Sequence, residues 1–368
     1  MTLVHRASVA LLSTALAVSL TATGQPAQAA SADSPAGHAA TWESHQLTHG
    51  LVHNPNFGGF DDYGLSLDTG LALIAIGRDK AATSRIRTAM THHVADYTTD
   101  SAFGLGDVFA GAVAKLLVYA QATGGGVRSF GGTDLVSALE DRVATSGQAR
   151  GRIEDVVDPT NTFGDSANTI GQVFAVRGLL AAHSDLAAPA LKYLLLQQCD
   201  QGYFRLDLGK AAASKQSCTK KSPPDNDVTA LVVTQLWKYR AGHGALRHSL
   251  RAALGWLADQ EGKTGGVGEG PSGSTPNSNS TGLAAWALGT AGRCAVAEKA
   301  ATFVSKLQLG GGLKGTPLAG ERGAIAFNRA DLRKGERNGV TATKQDAWRR
   351  ATAQAAPGLR FLGGAHCR

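Results

Sequence analysis

The sequence predicts an all-α chain, an (α/α)6 toroid in which a ring of inner helices is shielded by a ring of outer ones. Two observations carry that expectation. A unit of roughly 40 to 60 residues recurs along the chain, the length of stacked helical repeats. Each unit has a Gly-rich turn, a short polar stretch with Asp, Asn or Thr, and an Ala/Leu-rich helix poor in charge. Between the units lie helices with apolar residues at i, i+3, i+4, such as Leu246, Leu250, Leu254 and Leu257, and with charges on the other face. A helix apolar all round is buried and an amphipathic one is half-exposed, so the alternation implies an inner and an outer layer, which six pairs would close into a ring, an open superhelix being the alternative.

The elements follow in order. An amphipathic helix from Ala39 to Val52 opens the series. The first unit is Phe57-Gly58-Gly59-Phe60 and then Asp68-Thr69-Gly70-Leu71; the second is Phe103-Gly104, Asp107 and a helix from Phe109 to Ala120. The third is Phe163-Gly164, Asn168-Thr169 and a helix to Ala182; the fourth is Gly202-Tyr203-Phe204 and Asp227-Val228-Thr229. The fifth is Gly265-Gly266-Val267 and Asn279-Ser280-Thr281 to Trp286; a degraded sixth is Gly310 to Leu313 with a helix from Thr341 to Ala356. Outer helices are expected over Lys80 to Tyr97, Asp134 to Ala144, Leu186 to Gln198, Ala245 to Gln260 and Ala295 to Gln308. Gly320 to Arg337 is too charged and Gly-rich to place.

The polar residues before each inner helix fit as N-caps. If the inner helices are parallel, their N-termini gather on one rim with partial positive dipole ends, the natural mouth of a binding cavity. The expected rim set is Asp62, Asp68, Asp107, Asn168, Asp227, Asn279 and Trp286.

At the N-terminus, His5 and Arg6 precede an apolar stretch from Ala7 to Leu20 and the tripeptide Ala27-Gln28-Ala29, the layout of a signal peptide cleaved after Ala29. Residues 1–29 are then a leader, 30–38 a flexible mature N-terminus and 39–368 the helical domain, and the expected location is secreted, extracellular or associated with the cell wall. The stretch is shorter than the ~20 residues of a membrane span. Export and an even count of cysteines imply pairing; four cysteines allow three connectivities, of which Cys199–Cys218 with Cys294–Cys367 is expected because its first pair closes a local loop. No Cys/His cluster has metal-ligand spacing, so no metal and no cofactor are expected. His45 and His49 stand at i, i+4 on the opening helix without a third ligand, and His92-His93 and His53 read as surface or core groups. The net charge of +7 is spread along the chain, and its densest group, Arg322 to Arg350, holds acids among its bases, which excludes a concentrated nucleic-acid surface.

Together the turns and two further motifs resemble the α/α-toroid superfamily of prenyltransferase β-subunits, squalene and other terpene cyclases, and the cobalamin carriers intrinsic factor and transcobalamin. Gln197 to Phe204 is similar to the cyclase motif pairing a Gln with a Gly-x-aromatic, and Gln260 to Val267 repeats its spacing. The Gln is expected to tie one repeat to the terminus of the next inner helix. Asp225-Asn226-Asp227-Val228-Thr229-Ala230 resembles the Asp-x-Asp-Asp-Thr-Ala signature of class II terpene cyclases. The resemblance runs from about Thr41 to Leu309 and implies three functions. The leading expectation is a non-catalytic protein that binds a corrinoid or isoprenoid small molecule, or a cell-envelope protein, at the rim; the β-domain that covers the ligand in the cobalamin branch has no counterpart. The second is an isoprenoid cyclase with Asp227 as general acid and Asp225 as its neighbour. Against it, Val228 replaces the last Asp, and aromatics form only 6% of the chain where a carbocation cavity needs them; the inner-helix candidates are Phe109, Phe174, Trp237, Trp286 and Trp348. The prenyltransferase branch implies a zinc site with Asp, Cys and His, for which no Cys or His matches. The third function is a secreted polysaccharide-active enzyme with two carboxylates drawn from Asp61, Asp62, Asp68, Asp107 and Asp227.

Overall fold

The computed structural model describes residues 29–101, 104–161, 164–271, 274–364 and 367. The expected leader up to Gln28, Phe103 and Phe163 lie outside them, as does the side chain of Phe57.

Six inner helices form a closed ring: α2 (Tyr63–Ile76), α5 (Ala110–Ala122), α7 (Thr169–Ala181), α9 (Asn226–Leu236), α11 (Ser278–Thr290) and α14 (Ala342–Ala355), each packed on the next and α14 on α2. Their lateral faces carry glycines and other small residues, so the backbones pack closely. A Cβ at Gly70 would strike the Tyr119 ring, and one at Gly282 the backbone of Ala355. Five outer helices back them: α3 (Lys80–Met90), α6 (Leu135–Glu140), α8 (Ala187–Leu195), α10 (Gly244–Gln260) and α12 (Cys294–Ser305). The sixth outer place is filled from the other end of the chain by α1 (Pro35–His45), which packs on α2, on α14 and on the 3-10 segment Ala356–Gly364. Two short helices, α4 (Val94–Thr98) and α13 (Arg329–Asn338), lie in connections.

Five sectors share one device. Gly50, Gly151, Gly202, Gly265 and Gly323 all have φ between 87 and 102°. A side chain at any of them would collide with a backbone carbonyl oxygen of the sector's outer helix, at Arg85, Pro189, Ala252, Lys299 and His38. Two residues after each glycine, a buried backbone N–H meets a side chain of the inner helix: Val52 to Ser66 Oγ, Ile153 to Gln172 Oε1, Phe204 to Thr229 Oγ1, Val267 to Thr281 Oγ1 and Ile325 to Thr352 Oγ1, at 2.8–2.9 Å. These bonds set the helices in a common register.

Several expectations are corrected. The repeating turn was placed rightly at Gly202 and Gly265, but elsewhere it is not the Gly-aromatic pair. Gly58, Gly104, Gly164 and Gly312 do adopt left-handed φ, yet in open space. The opening helix ends at His45; a three-stranded antiparallel sheet follows, β1 (Leu47–Thr48), β2 (Leu51–Asn54) and β3 (Phe60–Asp62). His49 therefore sits in its turn with φ 54°, not one helical turn from His45. The packed chain reaches back to Ala30, which is buried and donates its N–H to Ile76. The helix expected over Lys80 to Tyr97 breaks at Thr91 to His93, and the one over Asp134 to Ala144 is shorter. Gln198 bonds Gly202 and the α10 carbonyl of Ser249, so it ties outer helix to outer helix, as Gln308 does to Pro35 of α1.

Both expected disulfides, Cys199–Cys218 and Cys294–Cys367, are present, with Cα–Cα distances of 5.2 and 5.4 Å. Among the described residues no helix is long and apolar enough to cross a membrane.

Candidate functional site

The shared register gathers equivalent residues around the central axis. Two positions beyond the bonding side chain of five inner helices stand Asp68 (α2), Phe174 (α7), Leu231 (α9), Leu283 (α11) and Gln354 (α14), and α5, which lacks that bond, adds Lys115. All six line one cavity of about 470 Å³, to which every inner helix contributes. Its other walls include Phe109, Gly111, Ile170, Asn168 and Asp227, with Asp155 and Ser166 from the preceding loop. The volume falls in the range of small-molecule sites.

Asp227 is the unusual group. It stands at the second position of α9, where its side chain reaches the cavity and Asp225 takes the capping role by accepting from Val228 N–H at 2.8 Å. Asn226 is buried behind it, donating to Gly268 O and Gly270 O and accepting from Trp256 Nε1. Asp227 Oδ1 is buried with no hydrogen-bond partner. Burial pushes its carboxyl up to about 7, the Ser280 hydroxyl opposing and Asp225 and Glu269 adding. Burial raises Asp225 as well, against the Val228 N–H. At neutral pH Asp227 is thus partly protonated and able to donate a hydrogen bond or a proton.

Across the cavity Lys115 Nζ meets Asp68 Oδ1 at 2.5 Å and Gly64 O at 3.0 Å. Burial works against the Lys115 charge, but Asp68, Tyr97 and Asp62 together outweigh it and hold the ammonium charged. Asp155 Oδ1 accepts from Ala110 N–H, so it caps α5, while its other oxygen accepts from Ser166 N–H and Oγ.

Of the expected rim set, Asp68, Asn168 and Asp227 line the cavity. Asn168 is also the cap of α7. Asn279 touches it indirectly, donating to Gln354 Oε1 at 2.7 Å. Asp62 caps α2 through Leu65 N–H and pairs with Arg350. Asp107 is buried in the loop network, accepting from Asp158 N–H and Asn161. Trp286 lies one turn beyond Leu283, packed on the main core. Of the five aromatic candidates only Phe109 and Phe174 line the cavity; Trp348 is buried at the α13–α14 groove and Trp237 stacks under Arg240. Of the five carboxylates considered as a glycosidase pair, Asp68 and Asp227 face the cavity and Asp61 pairs with His53 at the surface. Lys115, Asp155 and Gln354 were not anticipated. The signal for Lys115 was available: it is the single charge in α5, as Asp68 is in α2. Among the described residues no cluster of His, Cys, Asp or Glu is arranged to hold a metal.

A closed ring of six inner helices within outer ones, around a cavity that every inner helix lines, is the α/α-toroid fold. The solved structures it is similar to have the same fold. They include a type II terpene cyclase, MstE from Scytonema, with a TM-score of 0.59 at 16% identity over 89% of this chain and 96% of that one. An unsaturated glucuronyl hydrolase from Bacillus sp. GL1, described as responsible for glycosaminoglycan degradation, gives 0.57 at 11% identity over 90% and 97%. An α-1,6-mannanase of Salegentibacter sp. HEL1_6 gives 0.54 at 10% identity over 89% and 98%. No protein-family model matches the chain, and no curated sequence matches it.

Proposed function

We propose that the chain is an exported small-molecule-binding toroid that takes a compact, largely apolar ligand into the central cavity and holds it through Asp227. The observation that carries this reading is the Asp227 carboxyl, largely desolvated and placed in the wall of a cavity lined by all six inner helices. Kept partly protonated by burial, that carboxyl can donate to an acceptor atom of a ligand in the cavity. Phe109, Phe174, Leu231 and Leu283 supply apolar contact. An isoprenoid suits the volume; a corrinoid macrocycle is too bulky to enter and would have to lie over the rim. Two disulfides fit an oxidising compartment outside the cytoplasm.

A second reading, favoured by the Asp225 to Ala230 signature, is that Asp227 passes its proton to an alkene or epoxide of the ligand and starts a cyclisation. The toroid cyclase among the solved structures lends the fold to this reading, not the chemistry.

One set of variants tests both. Wild-type affinity for an isoprenoid alcohol that carries an epoxide at its far end, followed by thermal shift, should fall as pH rises through about 7, because the acid ionises and ceases to donate to the epoxide. Asp227→Leu should lose affinity, and Asp227→Asn, which keeps a donor, should bind with a flat pH profile. Affinity that ignores pH and both substitutions sinks the binding role. Formation of a cyclised product by wild type, absent with Asp227→Asn, would establish the enzyme.

A further inference from the structure

The cavity wall is divided by helix order. Going round the ring, α7, α9 and α11 present Phe174, Leu231 and Leu283 at the common level, and α14, α2 and α5 present Gln354, Asp68 and Lys115. The apolar residues are contiguous and so are the polar ones, so the cavity has an oily arc facing a hydrogen-bonding arc. On the polar arc Asp68 is one-third exposed although one of its oxygens is held by Lys115. Gln354 Oε1 is taken by Asn279, which leaves its amide N–H groups as the part of the side chain able to donate to a ligand. The arc therefore offers an acceptor beside a donor, the pair a hydroxyl group can satisfy with both its O–H and its lone pairs.

The charges lining the cavity also discriminate. They are Asp68, Lys115 and Asp155, with Asp227 mostly protonated below neutral pH. One cation stands against two carboxylates. The cation is already paired, so a ligand carboxylate would find no free positive charge and two negative ones. A carboxylate taken out of water without a partner is strongly penalised.

We propose that the ligand is an uncharged hydroxylated hydrocarbon, seated with a hydroxyl on the Asp68–Lys115–Gln354 arc, its chain on the Phe174–Leu231–Leu283 arc and a second oxygen at Asp227, and that the Asp68–Lys115 pair is the element that rejects acids. This rests on the binding role of the central cavity proposed above and specifies the chemistry it admits.

The test uses a matched pair, farnesol and farnesoic acid, with dissociation constants from isothermal titration of the full chain at about pH 6, where the acid is ionised and Asp227 protonated. Wild type should bind farnesol at least about tenfold more tightly than the acid. Asp68→Asn frees the Lys115 charge and should move the ratio toward the acid by about tenfold or more. The double variant Asp68→Asn/Lys115→Met removes both charges and should hold a ratio between the two; it also keeps the test available if the single variant, with its unpaired buried cation, does not fold. Equal affinities in wild type, a preference for the acid, or a ratio unmoved by the single or the double variant overturns the inference while leaving a binding cavity in place. Binding of neither compound to wild type overturns the binding role itself, and the inference with it.

Discussion

The α11 sector and the closing sector solve one packing problem with different lengths of chain. In the α11 sector, Gly265 presses on the Lys299 carbonyl and Val267 N–H reaches Thr281, only 14 residues on. In the closing sector, Gly323 presses on His38 and Ile325 N–H reaches Thr352, 27 residues on. The extra length holds α13 and the early turns of α14, which extend beyond the level at which the other inner helices begin. Both ends of the device are kept although the chain between them nearly doubles. What the ring requires is the contact of glycine with outer helix and the bond to the inner helix; the connection is free to vary, since loop length itself adds little cost.

The comparison can be broken at several points. Gly265→Val and Gly323→Val should each cost roughly 4 kcal/mol in urea melts, since each adds a clash and a left-handed φ that a β-branched residue resists. A much milder effect at Gly323 would mean that the closing sector is held by something else. Glu43 belongs to the closing sector, wholly buried on α1 with one oxygen bonded by Thr69 and the other partnerless. Burial pushes its carboxyl from 4.5 up to about 8. The native state then keeps a proton that the unfolded chain releases, so stability falls as pH rises from about 4.5 to about 8 and levels off above. Glu43→Gln should remove that slope and gain a few kcal/mol over wild type at the alkaline end of the window. Equal slopes in the two proteins would show that Glu43 is ionised in the fold. Replacing Cys294 and Cys367 by Ser should cost about 3 kcal/mol, with amide exchange rising along α12 and the Ala356–Gly364 segment and not along α9. The smallest effects come from the bonds that set register. Thr281→Val and Thr352→Val each leave a buried N–H unpaired and should cost about 1 to 2 kcal/mol, alike in the short and the long sector.

The alternation of helix types was legible because it rests on apolar periodicity over whole helices. Glycine in a packed turn was not, except at Gly202 and Gly265, where an outer-helix Gln precedes it at short range. Gly50, Gly151 and Gly323 look like any loop glycine until the opposing carbonyl is known. Capping residues were confused with cavity residues for a related reason. Asp225 and Asp227 are two apart, as are Asn277 and Asn279, and only the helix start decides which member caps and which turns inward. Asp227 could be singled out by its signature, whereas Leu231, Leu283 and Gln354 carry no chemical mark and become wall residues only through the common register.

The filling of the sixth outer place by α1 has a topological consequence. The segment that begins the packed chain lies against the segment that ends it, so the ring has a seam rather than two free ends. A circular permutant with Cys367 joined to Ala30 through a short Gly/Ser linker and cut at exposed Gly242, where open space surrounds the backbone, should fold to the same ring. Such a relocated seam would let the cavity be carried as an insert inside another protein's loop.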